Sequence, residues 1–191
     1  MSMTTTTPPK ASARQRLLEA SDELFYNEGV HTVGIERVLE KAGVAKGSLY
    51  YNFGGKDDLI EAYLTNRHGA WSSTIERRLE GVAAPADQIL AVFDALEILF
   101  NRPDYRGCAF MNATAEARPD SVEEHAAEQF RGWIHDLFTR LVAPLGVADP
   151  AQLIDDLVVL YDGANTTSQM DRNADAAKTA KRLAKMVLTA A

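Results

Sequence analysis

Eight consecutive residues, Lys46 to Phe53 (KGSLYYNF), carry the densest chemistry in the chain. Lys46, Gly47, Ser48, Tyr50, Tyr51 and Asn52 place a cation, a bare backbone, a hydroxyl, two phenols and an amide within seven positions. Such groups donate and accept hydrogen bonds, as a reader of base edges and phosphates must; they do not break bonds. Residues capable of covalent or acid–base chemistry stand elsewhere, as Cys108 with His125 or His135 and as the acid pairs Asp57-Asp58 and Asp155-Asp156. Cys108 lies in an apolar run with no basic neighbour closer than Arg106, the setting of a buried, inert thiol. The four histidines lack metal-ligand spacing, and no Gly-x-Ser-x-Gly nucleophile motif or nucleotide-binding glycine loop occurs. The expectation is a protein with no catalytic residue, no metal and no cofactor, and not an enzyme.

The octapeptide must be held by something, because a helix this short is unstable alone. At about 100° per residue Leu49 and Phe53 share one face, Gly47 and Tyr51 point away from it, and Ser48 and Tyr50 lie on the flanks. The two apolar residues can anchor the segment while the opposite face meets a partner. Just upstream, Ile35, Val38, Leu39 and Ala42 fall at i, i+3, i+4 and i+7, one apolar stripe of a helix that Gly43 ends as a left-handed stop would. Two helices joined by so short a turn predict a helix-turn-helix over 34–53, its second helix lying in a major groove. Gly47 lets the helix start approach a phosphate closely, where backbone N–H groups and the helix dipole favour an anion. Thr32 either bonds a phosphate through its hydroxyl or caps the next helix.

Residues 14–64 resemble the DNA-binding domain of the tetracycline-repressor (TetR) family of transcriptional regulators. The likeness rests on the ordered set Leu17, Ala20, Leu24, Phe25, Gly29, Thr32, Val33, Ile35, Ala42, Gly43, Val44, Lys46, Gly47, Leu49, Tyr50, Tyr51, Phe53, Lys56, Leu59 and Leu64. Three positions depart from the family pattern: Ala45 where Ser or Thr is favoured as a cap, Asn52 where His or Tyr is common, and Gly54-Gly55 where one polar residue usually precedes Lys56. The expected DNA-binding residues are Thr32, Lys46, Gly47, Ser48, Tyr50, Tyr51, Asn52 and Lys56.

The rest of the chain bounds this reading. The net charge is −7, and residues 1–64 alone hold seven Lys and Arg against nine Asp and Glu, a balance of −2. Phosphate affinity depends on where the cations sit, so tight binding is expected to need a dimer and to weaken steeply with salt. No apolar run approaches the roughly 20 residues of a membrane span, and the start of the chain lacks the apolar core of a secretory signal. With a single cysteine, a cytoplasmic protein with no membrane partner is expected. The Thr- and Pro-rich residues 1–11 predict a disordered arm, in which Lys10, with Arg14 or Arg16, is a candidate for touching phosphate or a minor groove.

From Ser12 onward the pattern is helical throughout. A helix over about 12–27 carries Leu17, Leu18, Ser21, Leu24 and Phe25; a long one carries Leu59, Ile60, Tyr63, Leu64, Trp71, Ile75 and Leu79; later ones are expected after Pro85, within 107–117 (with Asn112 and Glu116 at i, i+4), from Pro119, from Asp149-Pro150 and over about 174–189. The fold expected is all-α, with a helix-turn-helix domain over 12–64 joined by the long helix to a helical domain over 65–191.

For that second domain the resemblance implies a small-molecule cavity and a homodimer made by the last two helices in a four-helix bundle, setting two recognition helices on a palindromic operator of double-stranded DNA. The apolar stripes of 153–164 and 180–187, with Gly163 and Ala164, are candidates for the subunit contact. Trp71, Phe93, Phe110, Met111, Asn112, Trp133 and Tyr161 are the candidate ligand-binding residues, aromatic or soft groups beside isolated polar ones. Since no Arg or Lys cluster falls in these segments, the expected ligand is a hydrophobic small molecule that releases a repressor from DNA. A ligand-independent regulator and a helical adaptor that binds protein through 46–53 are the alternatives.

Overall fold

The structure, a computed structural model, describes residues 11–115 and 117–191. The expectations for Lys10, for the rest of the arm before residue 11, and for Glu116 fall outside the described residues. Among the described residues every regular element is helical, and they pack as two compact units that divide between Tyr63 and Leu64.

The first unit contains α1 (Ala13–Glu28), α2 (Ile35–Ala42), α3 (Lys46–Phe53) and the opening turns of α4 (Lys56–Leu79). Ser12 starts α1 by accepting the Gln15 N–H at 3.1 Å, and Gly29 ends it with φ of +92°. Gly43 closes α2 in the left-handed conformation its position predicts (φ +61°), the Val44 N–H reaching back to the Leu39 carbonyl at 3.2 Å. Helix α1 packs on both α2 and α3 through Leu17, Ala20, Leu24 and Phe25, meeting the buried Val38, Leu39 and Ala42 stripe. The Phe25 ring meets the ring of buried Tyr63 edge-on at 5.6 Å.

The second unit holds the remainder of α4, then α5 (Pro85–Phe100), α6 (Ala109–Thr114), α7 (Val122–Val142) with a short 3-10 turn at Ala143–Leu145, α8 (Pro150–Asp171) and α9 (Ala176–Ala190). Helix α5 packs on α7 and α9, and α8 on α7 and α9, around Ile89, Phe93, Leu96, Ile134, Phe138, Leu141 and Leu157. Asp149 caps α8 as its sequence predicts, accepting the Gln152 N–H at 3.1 Å with Pro150 at the first helical position. Helix α7 starts later than the expected Pro119. Ser121 is the cap, accepting the Glu124 N–H at 3.3 Å, while the Glu124 carboxylate takes the Asp120 N–H at 2.7 Å.

One sequence argument changes here. The apolar stripe of α8 (Leu153, Leu157, Val158, Tyr161, and Ala164 with it) is buried inside the unit and so is not in excess of what the monomer needs. What α8 and α9 turn outward is Val159, Met170 and Met186, together with Gly163 from the expected contact. Among the described residues no helix is long and apolar enough to cross a membrane.

Candidate nucleic-acid interface

Helix α3 sits on the first unit by the two residues its spacing selects, with Leu49 fully buried and Phe53 nearly so. Its other face is open: Tyr50 is 54% exposed and Tyr51 90%. A tyrosine that packs against nothing in its own chain holds a large apolar ring in water, which a folded monomer has no reason to keep. At the helix start Lys46 is exposed, its ammonium 3.6 Å from the carboxylate of Glu36, which is also exposed. A Cβ added at Gly47 would meet nothing within 4 Å, so no internal contact requires the glycine. The backbone N–H groups at this end are thus approachable from outside. Ala45 occupies the cap position and offers them no side-chain bond.

Other expected contacts are modified by the structure. Ser48 and Asn52 are half-buried, and Asn52 donates through Nδ2 to the Ser48 carbonyl at 2.7 Å, so part of the amide's capacity is used within α3. Thr32 is exposed on the turn before α2, whose cap position belongs to Gly34 and carries no side-chain bond. Of its two sequence readings, the capping one is therefore absent. Lys56 is half-buried at the first position of α4, with Asp57 and Asp58 exposed beside it. Gly54 closes α3 with φ of +72°, a backbone conformation that side chains rarely adopt, which accounts for a glycine before Lys56.

Four cations of this unit have internal work. Arg16 donates from one guanidinium nitrogen to the Ala42 and Gly43 carbonyls, both at 2.9 Å, tying α1 to the turn that aims α3. Its guanidinium thus has an internal role beside the phosphate contact for which Arg14 or Arg16 is a candidate, and sequence offered no sign of it, since the partners lie 26 and 27 positions away. The Arg14 guanidinium lies over the Phe53 ring, 5.1 Å from its centre. Arg37 grips Glu28 with two N–H bonds that hold this carboxyl below its ordinary range, and Lys41 pairs with Glu23 at 2.7 Å. Two of the acids behind the negative balance, Glu28 and Glu23, thus sit in ion pairs with cations outside α3.

In the second unit the candidate ligand residues are mostly engaged with one another. Trp71 donates its indole N–H to the Tyr161 hydroxyl at 2.9 Å, and Phe138 stands between rings, 6.3 Å from Phe93 and 6.2 Å from Tyr161. Phe110 stacks on Phe130 at 4.0 Å, Phe130 on Trp133 at 5.8 Å, and the His68 ring meets all three edge-on. Burial pushes the His68 imidazole below its usual pKa and the Tyr161 phenol well above its own. Met111 is 41% exposed and makes no part of this grouping in the ring contacts. Asn112 bonds outward from the aromatics, donating to the Arg106 carbonyl at 3.0 Å and accepting from Gln169 at 2.7 Å. Cys108 precedes α6 half-buried rather than fully buried, and desolvation raises its thiol pKa. Among the described residues no group of His, Cys, Asp and Glu side chains is placed to hold a metal.

A cavity of about 520 Å³ does lie in this unit, and it is lined by none of the seven candidates. Its wall includes Phe100, Arg102, Tyr105, Arg106, Gln169 and Arg172. Sequence reasoning missed it because Arg172 lies far along the chain from Arg102 and Arg106, and only the packing of α8 near the loop after α5 unites them.

Comparison with known proteins agrees with the geometry. Residues 17–63 match the family model described as "Bacterial regulatory proteins, tetR family". The crystal structure of SCO4454, a TetR-family transcriptional regulator from Streptomyces coelicolor, is 34% identical and superposes over 93% of this chain and 94% of that one with a TM-score of 0.86. A TetR-type regulator from Streptomyces avermitilis, sav143, is 28% identical over 92% of this chain and 99% of its own, with a TM-score of 0.79. The curated relative LmrA of Bacillus subtilis, an HTH-type transcriptional regulator, is 26% identical over 63% of this chain and 66% of its own length. Other curated relatives are spanned over 33–64% of their length. The helix-turn-helix, the outward phenols of α3 and the full-length likeness to SCO4454 lead to one conclusion: the chain belongs to the TetR family of transcriptional regulators.

Proposed function

We propose that the protein is a repressor that binds a palindromic operator in double-stranded DNA as a homodimer. The observation that carries this reading is the division of α3 into a buried Leu49–Phe53 edge and an exposed Tyr50–Tyr51 face. Tyr50, Tyr51, Ser48 and the carbonyl end of Asn52 face base edges and sugar, while Lys46, the Gly47 backbone, Thr32 and Lys56 take phosphates. Subunits pair through α8 and α9, which is supported by Val159, Met170 and Met186 standing 58–77% exposed on those helices and by the open backbone at Gly163. Two copies place two recognition helices about one DNA turn apart.

A hydrophobic small molecule releases the DNA in this reading, entering among Trp71, Phe93, Phe110, Trp133 and Tyr161. Because these rings contact one another, the ligand must part them, and helix α4, continuous from Lys56 to Leu79, is the element through which the shift reaches the first unit. The same mutual packing favours a second reading, a regulator that needs no ligand. Calorimetric screening against apolar metabolites separates the two.

The DNA reading is tested by band-shift titration against the promoter region of the protein's own gene at several salt concentrations. Saturable binding that weakens steeply with salt is expected, and Tyr50→Ala or Lys46→Ala loses it while helicity and dimerisation persist. Salt-insensitive or absent binding, with a protein recovered through the 46–53 face, would replace the regulator by an adaptor.

A further inference from the structure

A carboxylate stands against the cation at the start of α3. Glu36 lies in the first turn of α2, and its Oε1 is 3.6 Å from Lys46 Nζ, with the side chains 78% and 61% exposed respectively. The backbones that carry them are fixed relative to each other. Gly43 turns the chain in the left-handed conformation, and the Arg16 guanidinium holds the Ala42 and Gly43 carbonyls, both at 2.9 Å. Glu36 and Lys46 therefore remain neighbours as their side chains move. Among the described residues neither has a second ion-pair partner, and the paired acids Glu28 and Glu23 are held by Arg37 and Lys41 of α2. Glu36 differs from them in engaging a cation of α3.

Two effects act on Glu36, and they have opposite signs. A carboxylate in the first helical turn suits the positive end of the dipole, and α2 gains from it because Gly34, at the cap position, gives no side-chain bond. On a face that meets a polyanion, the same carboxylate repels each nearby phosphate and competes for the ammonium that would neutralise one. An exposed pair of this kind is weak and screened by salt, so a phosphate can displace it.

We propose that Glu36 is an internal stand-in for DNA phosphate. It occupies the Lys46 ammonium in the free protein and must yield it when DNA binds. Affinity for duplex of any sequence is thereby held down, and tight binding is left to the base contacts of α3. The inference rests on the reading of α3 as the DNA-binding helix. It adds a residue whose removal strengthens binding, whereas each contact assigned above weakens binding when removed.

The test titrates the full chain against two labelled duplexes, one of random sequence and one from the promoter region of its own gene, and follows fluorescence anisotropy at low and high salt. Glu36→Gln is expected to bind both about 3–10-fold tighter at low salt, the gain shrinking as salt rises. Glu128→Gln takes the same charge from an exposed position in the second unit and should leave both affinities within about twofold of wild type. With Lys46→Ala in place, Glu36→Gln should gain less than about twofold, because the ammonium it would free is gone. Thermal melting of Glu36→Gln should lie at or slightly below that of wild type, so that tighter binding does not come from a firmer fold. Salt-sensitive binding by wild type that Glu36→Gln leaves equal or weakens would overturn the role of Glu36 while the DNA reading stands. An equal gain in Glu128→Gln, or a full gain without Lys46, would overturn it as well, since net charge alone would then suffice. Absence of salt-sensitive binding by every variant would remove both readings together.

Discussion

Tyr51 and Tyr161 are the same side chain put to opposite uses. Tyr51 is 90% exposed on α3, with its ring in water. Tyr161 is buried in α8, takes a hydrogen bond from Trp71 and has its phenol pKa driven well above the ordinary value by desolvation. The inner tyrosine is explained by the fold, since ring and hydroxyl are both satisfied. The outer one is explained only by something outside the chain. An aromatic residue therefore points to function here when its own protein leaves it unsatisfied, and the contrast between α3 and the aromatic group of the second unit can be broken or sharpened by substitution.

The largest effects should come from the inner side. Phe138, fully buried between Phe93 and Tyr161, should cost about 3–5 kcal/mol of stability as Phe138→Ala, read as a fall in melting temperature or denaturation midpoint. Leu49→Ala belongs with it at about 2–5 kcal/mol, because it removes the anchor of α3. Tyr51→Ala, on the same helix, should change stability by no more than about 0.5 kcal/mol while weakening operator binding by about 1–3 kcal/mol. A Tyr51→Ala protein that melts far below wild type would erase the distinction.

How far the sequence disclosed this arrangement follows from the range of the interactions. Leu49 and Phe53 in, Tyr50 and Tyr51 out, Gly43 as a left-handed stop and Asp149 as a cap were all legible, because each is decided within a turn or two of helix. Features set by distant partners were not. Arg16 looked like a cation for phosphate and is a clasp on carbonyls at Ala42 and Gly43. The α8 stripe looked like a surplus apolar face, although α7 and α9 cover it. The arginine-lined cavity was invisible because its walls come from two stretches of sequence that share no local pattern.

Arg16 offers an intermediate effect and a finer test. Arg16→Met loses both bonds to the turn and should cost about 1–2 kcal/mol of stability, with operator affinity falling as α3 loosens. Arg16→Lys keeps the charge but not the two-carbonyl geometry. If Arg16 acted on phosphate, lysine would preserve much of the DNA affinity and leave stability unchanged; as a clasp, it should lose stability first. Lys46→Ala is the control: little change in stability, and a salt dependence of operator binding shallower by about one unit for each phosphate contact removed.

The smallest expected effect tests whether the inner aromatic group is closed. His68 lies against Phe110, Phe130 and Trp133, and burial lowers its pKa from about 6.5. The unfolded chain therefore binds the proton more readily than the folded one, and stability rises with pH through the interval between the two values. The contribution is fully present above about 6.5, the unfolded value, and is lost as pH falls through the lower folded one. His68→Leu removes this group from the balance, so the slope of stability against pH below about 6.5 should flatten relative to wild type. An unchanged slope would mean that water reaches the imidazole, and the rings around it would then be the wall of an open site instead of a sealed core.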